Sequence, residues 1–344
     1  MTLAARISGV GRYVPERVMT NEELEATVET SSEWIVERTG IRERRIAAPH
    51  ETTSSMGTEA ARRALASAGI TGAEIDLVIT GTCTPDGLFP ATASAIQNAI
   101  GATHAGAFDV NAACVGFLSG LATGAQFIAT GSAERVLVVG AETLSRIVDW
   151  TDRGTCVLFG DGAGAVVLER AVPGEPGSID SLLLRSDGSQ AGLLYSHGPC
   201  SPLVDGLQQE AKIIMDGRAV FRQAVTMMCD SATEVIARAG LTVDDIALAV
   251  PHQANMRIIT AMSDRLGLPM DRVYVNVDRY GNTSSATIPI ALAEAEAEGR
   301  LKPGDRVLFA SFGGGLSWGA MVIEWAGVGS RRLVAASAAR SAGA

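Results

Sequence analysis

Two stretches of the chain match each other at a constant offset of 171 positions. Ala64-Leu-Ala-Ser-Ala-Gly69-Ile-Thr-Gly-Ala-Glu-Ile-Asp-Leu-Val-Ile79 resembles Val235-Ile-Ala-Arg-Ala-Gly240-Leu-Thr-Val-Asp-Asp-Ile-Ala-Leu-Ala-Val250, and Arg135-Val-Leu-Val-Val139 resembles Arg306-Val-Leu-Phe-Ala310. A third pair, Gly162–Glu169 with Ser317–Glu324, is offset by only 155, which predicts an insertion in the first half around Glu142–Val157. Each half therefore reads as helix, glycine stop, short acidic turn, buried strand and later a second buried strand. Strands that are apolar along their whole length need helices on both faces. The pattern predicts a duplicated α/β unit with pseudo-twofold symmetry, its halves spanning 1–172 and 173–326. An Ala/Ser/Arg-rich tail, 327–344, is expected to be poorly ordered and is assigned no role. Sites in such folds gather at strand C-terminal ends and at the junction between units.

Composition narrows the function classes. Apolar residues make up 47% and charged residues 19% of the 344 positions, as in a folded protein with a large core. Apolar runs such as Ile246–Val250 and Val307–Ala310 are strand-length, far short of the ~20 residues that span a bilayer. The start of the chain lacks a secretory signal pattern. The five cysteines have no metal-ligand spacing, and their odd number fits a reduced, cytoplasmic protein. A net charge of −10 argues against nucleic-acid binding. Phosphate-bearing ligands then need a local basic patch, for which Arg38, Arg42, Arg44 and Arg45 near Trp34 are the candidates, against the alternative of a solvated face.

Four segments carry candidate chemistry. In Phe108-Asp-Val-Asn-Ala-Ala-Cys114-Val-Gly-Phe-Leu-Ser-Gly120 a cysteine opens an apolar helix over roughly 115–130. A helix N-terminus favours the thiolate, the nucleophilic form; a small buried core cysteine is the competing reading. His252 follows the strand Ile246–Val250 in Pro251-His-Gln-Ala-Asn255. Asn282 lies in Tyr280-Gly-Asn-Thr-Ser-Ser285, expected after a strand at Val273–Val277 and before a helix, where a turn with a cap is the plainer account. Phe312-Gly-Gly-Gly315 follows the strand Arg306–Ala310 and permits close backbone approach to a ligand or simply a tight turn. The repeat maps Asn111 onto Asn282 and Cys114 onto Ser285, so the two helix starts are predicted to face a shared centre.

Together these segments resemble the β-ketoacyl-acyl-carrier-protein synthase III family. So do Ser32-Glu-Trp34-Ile with Arg38-Thr-Gly-Ile, Asp161-Gly-Ala-Gly164 and Met215-Asp-Gly-Arg-Ala-Val-Phe221, and the resemblance runs over about residues 4–325. It implies the thiolase-like fold, five layers αβαβα with pseudo-twofold related halves. It implies that Cys114 is acylated by an acyl-CoA primer, with the N–H groups of Cys114 and Gly314 as oxyanion hole. His252 and Asn282 would donate hydrogen bonds to the thioester carbonyl of malonyl-acyl-carrier protein as it loses CO₂. Trp34 and Arg153 would sandwich the adenine of CoA, with Arg38 on phosphate and Asn255 near the pantetheine. Arg257 would face the acidic carrier protein. Phe117 would shield the carbanion, and Phe89 would reach across a homodimer to close the partner's acyl pocket. No tightly bound cofactor, metal, nucleic acid or membrane is implied.

Other readings fit less well. A thiolase would carry a cysteine where Ser311 stands, and elongating synthases a histidine where Asn282 stands. A non-catalytic subunit of this fold would be expected to lose Cys114 or His252. A papain-like peptidase should bring a disulfide framework. A starter-unit synthase or acyltransferase of secondary metabolism keeps most of the pattern and stays open, as does primer length.

Overall fold

The computed structural model describes residues 5–171 and 174–329. The repeat is visible first in the helix ends. The helix Thr53–Ala68 stops at Gly69 with φ 73°, and the helix Gly217–Arg238 is followed by Gly240, also at φ 73°. Such a left-handed residue ends a helix at little strain when it is glycine. Thr71 and Thr242 then form matching capping boxes on short 3₁₀ turns, which lead into the buried strands Leu77–Gly81 and Ile246–Pro251.

Two sheets result. The first has the order Ala5–Tyr13, Asp161–Arg170, Arg135–Thr143, Leu77–Gly81, Gly106–Val110, the last three parallel to one another. The second runs Ser178–Ser186, Ser317–Glu324, Arg306–Gly313, Ile246–Pro251 in the corresponding order. Arg135 pairs with Glu169 and Arg306 with Glu324, so the antiparallel hairpin is the same in both halves. Its connection is residues 144–160 in the first half but only Gly314–Leu316 in the second, which places the insertion where the change in offset put it.

The expected strand at Val273–Val277 is absent. Only one parallel bridge, Ala249 to Val273, remains of it. The buried Gln253 Oε1 takes the N–H groups of Asn276 and Val277, and Val277–Tyr280 turns into a short helix. Donors that a strand would offer its neighbour are spent on a side-chain amide.

Helices fill three layers around the sheets. Thr53–Ala68 and Thr92–Ala99 cover the outer face of the first sheet, and Gly217–Arg238 with Met256–Leu266 cover the second. Gly116–Ala129 and Thr287–Ala297 lie between the sheets. The five-layer αβαβα thiolase-like arrangement is thus realised, with one apolar cluster between the sheets and one under each outer layer. The expected boundary at 172/173 and the tail from 330 onward lie outside the described residues. Of the tail, Gly329 donates its N–H to the Ser8 carbonyl. Among the described residues no helix is long and apolar enough to cross a membrane.

Candidate active site

The two central helices start alike. Each is preceded by a 3₁₀ turn, Ala113–Val115 and Ser284–Ala286, whose first residue has positive φ: 44° at Ala113 and 49° at Ser284. Non-glycine residues enter this region only when their surroundings impose it. Asn111 Oδ1 accepts from the Ala113 N–H at 3.4 Å, and Asn282 Oδ1 from the Ser284 N–H at 2.8 Å. The mapping of Asn111 onto Asn282 is therefore a structural identity. Because Asn282 Oδ1 is taken, its NH₂ is the end left to face the interior.

Cys114, His252 and Asn282 line one cavity, with Phe312, Phe221, Met215 and Asn255 among its walls. Cys114 also lines a second, larger cavity that runs past Leu144, Ile147 and Leu194 toward Cys83–Leu88. The sulfur thus stands between two spaces. Asn282 is fixed by the insertion of the first half: its N–H donates to the Leu158 carbonyl at 2.8 Å, and its own carbonyl accepts from Gly160 at 3.1 Å. The His252 N–H donates to the Ala310 carbonyl, and its Nδ1 lies 2.7 Å from Thr287 Oγ1.

Burial acts on the titration of both Cys114 and His252. It pushes the Cys114 thiol up to about 12, against a hydrogen bond with Ser284 that lowers it. It pushes the His252 imidazole down to about 3. The helix-end pull toward the thiolate, about 0.3–2 kcal/mol, is opposed here by burial, which can shift a pKa by ~3–5 units. Burial thus favours the neutral form of both groups.

The glycine turn makes the approach to Cys114 possible. A Cβ built on Gly313 would sit 2.8 Å from Cys114 Cβ and 2.9 Å from its N. Gly314 shares the larger cavity's wall with Cys114. Ser311 Oγ donates to the Cys114 carbonyl at 2.8 Å. Gly313→Ala is therefore expected to leave a folded protein in which alkylation of Cys114 by iodoacetamide slows at least about tenfold. An unchanged alkylation rate would show that the close approach is dispensable.

The remaining predicted residues divide. The Arg153 guanidinium lies 5.0 Å and the Arg38 guanidinium 5.8 Å from the Trp34 ring centroid, so these three do assemble. Arg153 Nη1 also donates to the Glu29 carbonyl at 2.9 Å. Asn255 connects this group to the cavity: its Nδ2 donates to the Arg38 carbonyl, and it caps the helix Met256–Leu266. Arg257 is exposed, 5.5 Å from the ring of Phe221. The proposed arginine patch is broken, because Arg44 is fully buried on Asn21 and the Val157 carbonyl. Phe117 belongs to the central core and to the wall of neither cavity; Leu158, Phe159, Leu194 and Phe312 supply apolar walls instead. Phe89 is 85% exposed beside the mouth of the larger cavity and does not line it. The sequence reading missed Thr287, Ser284 and the buried Glu142, whose partners are far away in the chain.

Comparison with known proteins meets this geometry. The family model described as 3-Oxoacyl-[acyl-carrier-protein (ACP)] synthase III matches residues 108–188, and that of its C terminal matches residues 236–325. Beta-ketoacyl-[acyl-carrier-protein] synthase III of Roseiflexus castenholzii is 51% identical over 325 residues, 93% of this chain and 98% of that protein. The protein of that name from Erythrobacter litoralis is 52% identical over 94% of this chain and all of its own length. The crystal structure of 3-oxoacyl-[acyl-carrier-protein] synthase III from Aquifex aeolicus superposes with TM-score 0.88 at 45% identity, covering 93% of this chain and 100% of that one. The priming beta-ketosynthase of the R1128 polyketide biosynthetic pathway superposes with TM-score 0.87 at 39% identity, covering 95% and 97%. In repeat, site and sequence alike, this chain belongs to the β-ketoacyl-acyl-carrier-protein synthase III family.

Proposed function

We propose that this enzyme starts fatty acid synthesis by a decarboxylative Claisen condensation of a short acyl-CoA primer with malonyl-acyl-carrier protein. The observation that carries the reading is that Cys114, from one half, and His252 and Asn282, from the other, line one cavity. The reaction needs no resident cofactor; acyl-CoA is a substrate.

In the first half-reaction the Cys114 sulfur attacks the primer thioester, and CoA leaves with the thiol proton. The N–H groups of Cys114 and Gly314 receive the oxyanion. The Thr287 hydroxyl has one hydrogen and two neighbours, His252 Nδ1 at 2.7 Å and the Ser284 carbonyl at 2.9 Å. Pointed at Ser284, it lets Nδ1 carry the ring proton and leaves Nε2 as acceptor. Pointed at Nδ1, it leaves the proton on Nε2 as donor. The second orientation supplies the donor that the second half-reaction needs.

In the second half-reaction the His252 Nε2–H and the Asn282 NH₂ hold the malonyl thioester carbonyl. Loss of CO₂ places negative charge there, and two neutral donors stabilise the enolate without protonating its carbon. The carbanion attacks acyl-Cys114 and releases a β-ketoacyl product. The acyl chain occupies the larger cavity, and the pantetheine arm reaches Cys114 past Asn255 from the Trp34–Arg38–Arg153 group. Arg257 meets the acidic carrier protein. The exposed Leu88 and Phe89 beside the acyl cavity fit a homodimer in which each copy closes its partner's pocket. A starter-unit role in polyketide synthesis is the second reading, favoured by the likeness to the R1128 priming ketosynthase. Purified protein given acetyl-CoA and malonyl-acyl-carrier protein should yield acetoacetyl-acyl-carrier protein and one CO₂ per product. A panel of longer primers separates the two readings, and failure with every short acyl-CoA would contradict the first.

A further inference from the structure

A hydroxyl carries one hydrogen, and the surroundings of Ser285 ask for two. Its Oγ lies 2.7 Å from the Gly81 carbonyl oxygen and 2.8 Å from Glu142 Oε1. A carbonyl oxygen only accepts, so the Ser285 hydrogen goes to Gly81 or those two oxygens repel. Once that hydrogen is committed, the contact with Glu142 needs a proton from the carboxyl group. We propose that Glu142 rests as a neutral carboxylic acid whose Oε1–H donates to Ser285 Oγ, completing a chain from Glu142 through Ser285 to Gly81 that clasps the two halves behind Cys114 and makes Glu142 a positioning residue for acyl transfer.

The other contacts of this carboxyl divide in the same way. Oε2 is the accepting oxygen: Thr84 Oγ1 donates to it at 2.6 Å, the N–H groups of Thr84 and Cys83 at 3.1 Å each, and Thr82 Oγ1 at 3.2 Å. Oε1 receives only the longer approaches of the Cys83 N–H at 3.3 Å and Cys83 Sγ at 3.5 Å. Glu142 is fully buried, and among the described residues no Lys, Arg or His forms an ion pair with it. The titratable groups facing it are the thiols of Cys83 and Cys114, and burial raises Cys83 as well. Burial likewise pushes the Glu142 carboxyl above its ordinary range, consistent with the proton accounting.

The position gives the proton a purpose. Glu142 is the penultimate residue of one strand, Gly81 ends its neighbour, and Ser285 sits in the Ser284–Ala286 turn just after Asn282. A negative Glu142 opposes negative charge on Cys114. A neutral Glu142 leaves the sulfur free of that repulsion as it attacks, and keeps the turn bearing Asn282 bonded to the first half.

The test is infrared difference spectroscopy at neutral pH on the full-length protein, wild type minus Glu142→Gln. The proposal expects a positive carbonyl band of a protonated carboxylic acid; its absence would mean an ionised Glu142 and overturn it. The amide can donate to Ser285 through Nε2 and accept through its oxygen. Acetyl transfer from acetyl-CoA to Cys114 should therefore fall at least about tenfold in folded Glu142→Ala and be restored to within about fivefold of wild type in folded Glu142→Gln; equal rates in the two variants, or no rescue by Glu142→Gln, overturn the positioning role. Should Glu142→Gln fail to fold, Ser285→Ala must shift the acid band to higher frequency, and an unshifted or missing band counts against the proposal. The transfer measurement rests on the acyl-transfer reading above, whereas the infrared band does not, so the two can fail separately.

Discussion

Cys114→Ala loses formation of the acyl-enzyme and lowers condensation at least about 10³-fold. Its fold should persist, because the side chain removed is small and the turn is held by backbone bonds and by Ser311. Decarboxylation of malonyl-acyl-carrier protein should survive, since the groups assigned to it, His252 and Asn282, remain in the cavity. The measurement is paired: transfer of labelled acetyl from CoA to protein, and release of labelled CO₂ without primer. Loss of both activities in a folded variant would mean that the two half-reactions do not divide between the two halves of the molecule.

The reciprocal expectation concerns the other half. His252→Ala and Asn282→Ala each keep acetyl transfer within about tenfold and lower decarboxylation and condensation by about 10² to 10³, the usual effect of deleting one preorganised donor. Asn282 is the sharper case. Its oxygen is bonded to the Ser284 N–H and its backbone to Leu158 and Gly160, so only the NH₂ is free for chemistry. Asn282→Asp keeps the accepting oxygen but replaces that donor by a carboxylate oxygen, and it should fail as badly as alanine. For His252, burial lowers the imidazole to about 3, so above about pH 4 it is neutral and decarboxylation should show no acid limb from this residue down to that pH. A limb near pH 6.5 would place the imidazole in a far wetter setting than the one described. Normal condensation by both alanine variants would remove the enolate-donor assignment altogether.

Much of this was legible in the sequence because the decisive signals are local and doubled. Glycine stops, capping threonines and strand-length apolar runs recur at one offset, and each describes its own few residues. The two turns with positive φ at Ala113 and Ser284 are the structural form of that offset. What escaped depends on contacts distant in the chain. The missing strand at Val273–Val277 follows from Gln253, a side chain more than twenty residues upstream that takes its backbone donors. The upward push on the Cys114 thiol follows from burial that neighbouring residues do not announce. Phe117 sits about one turn from Cys114 in sequence, yet its side chain belongs to the packed centre. Glu142 looks like a strand-end acid until Thr84 and Ser285 are brought to it from opposite halves.

Cys114 is the proposed acyl acceptor, although a second thiol, Cys83, lines the same larger cavity. Mass spectrometry of the intact protein after brief exposure to acetyl-CoA, followed by peptide mapping, decides between them. One acetyl group per chain is expected, on the peptide that contains Cys114. An acetyl group on the Cys83 peptide, or no adduct from any short acyl-CoA, would contradict it.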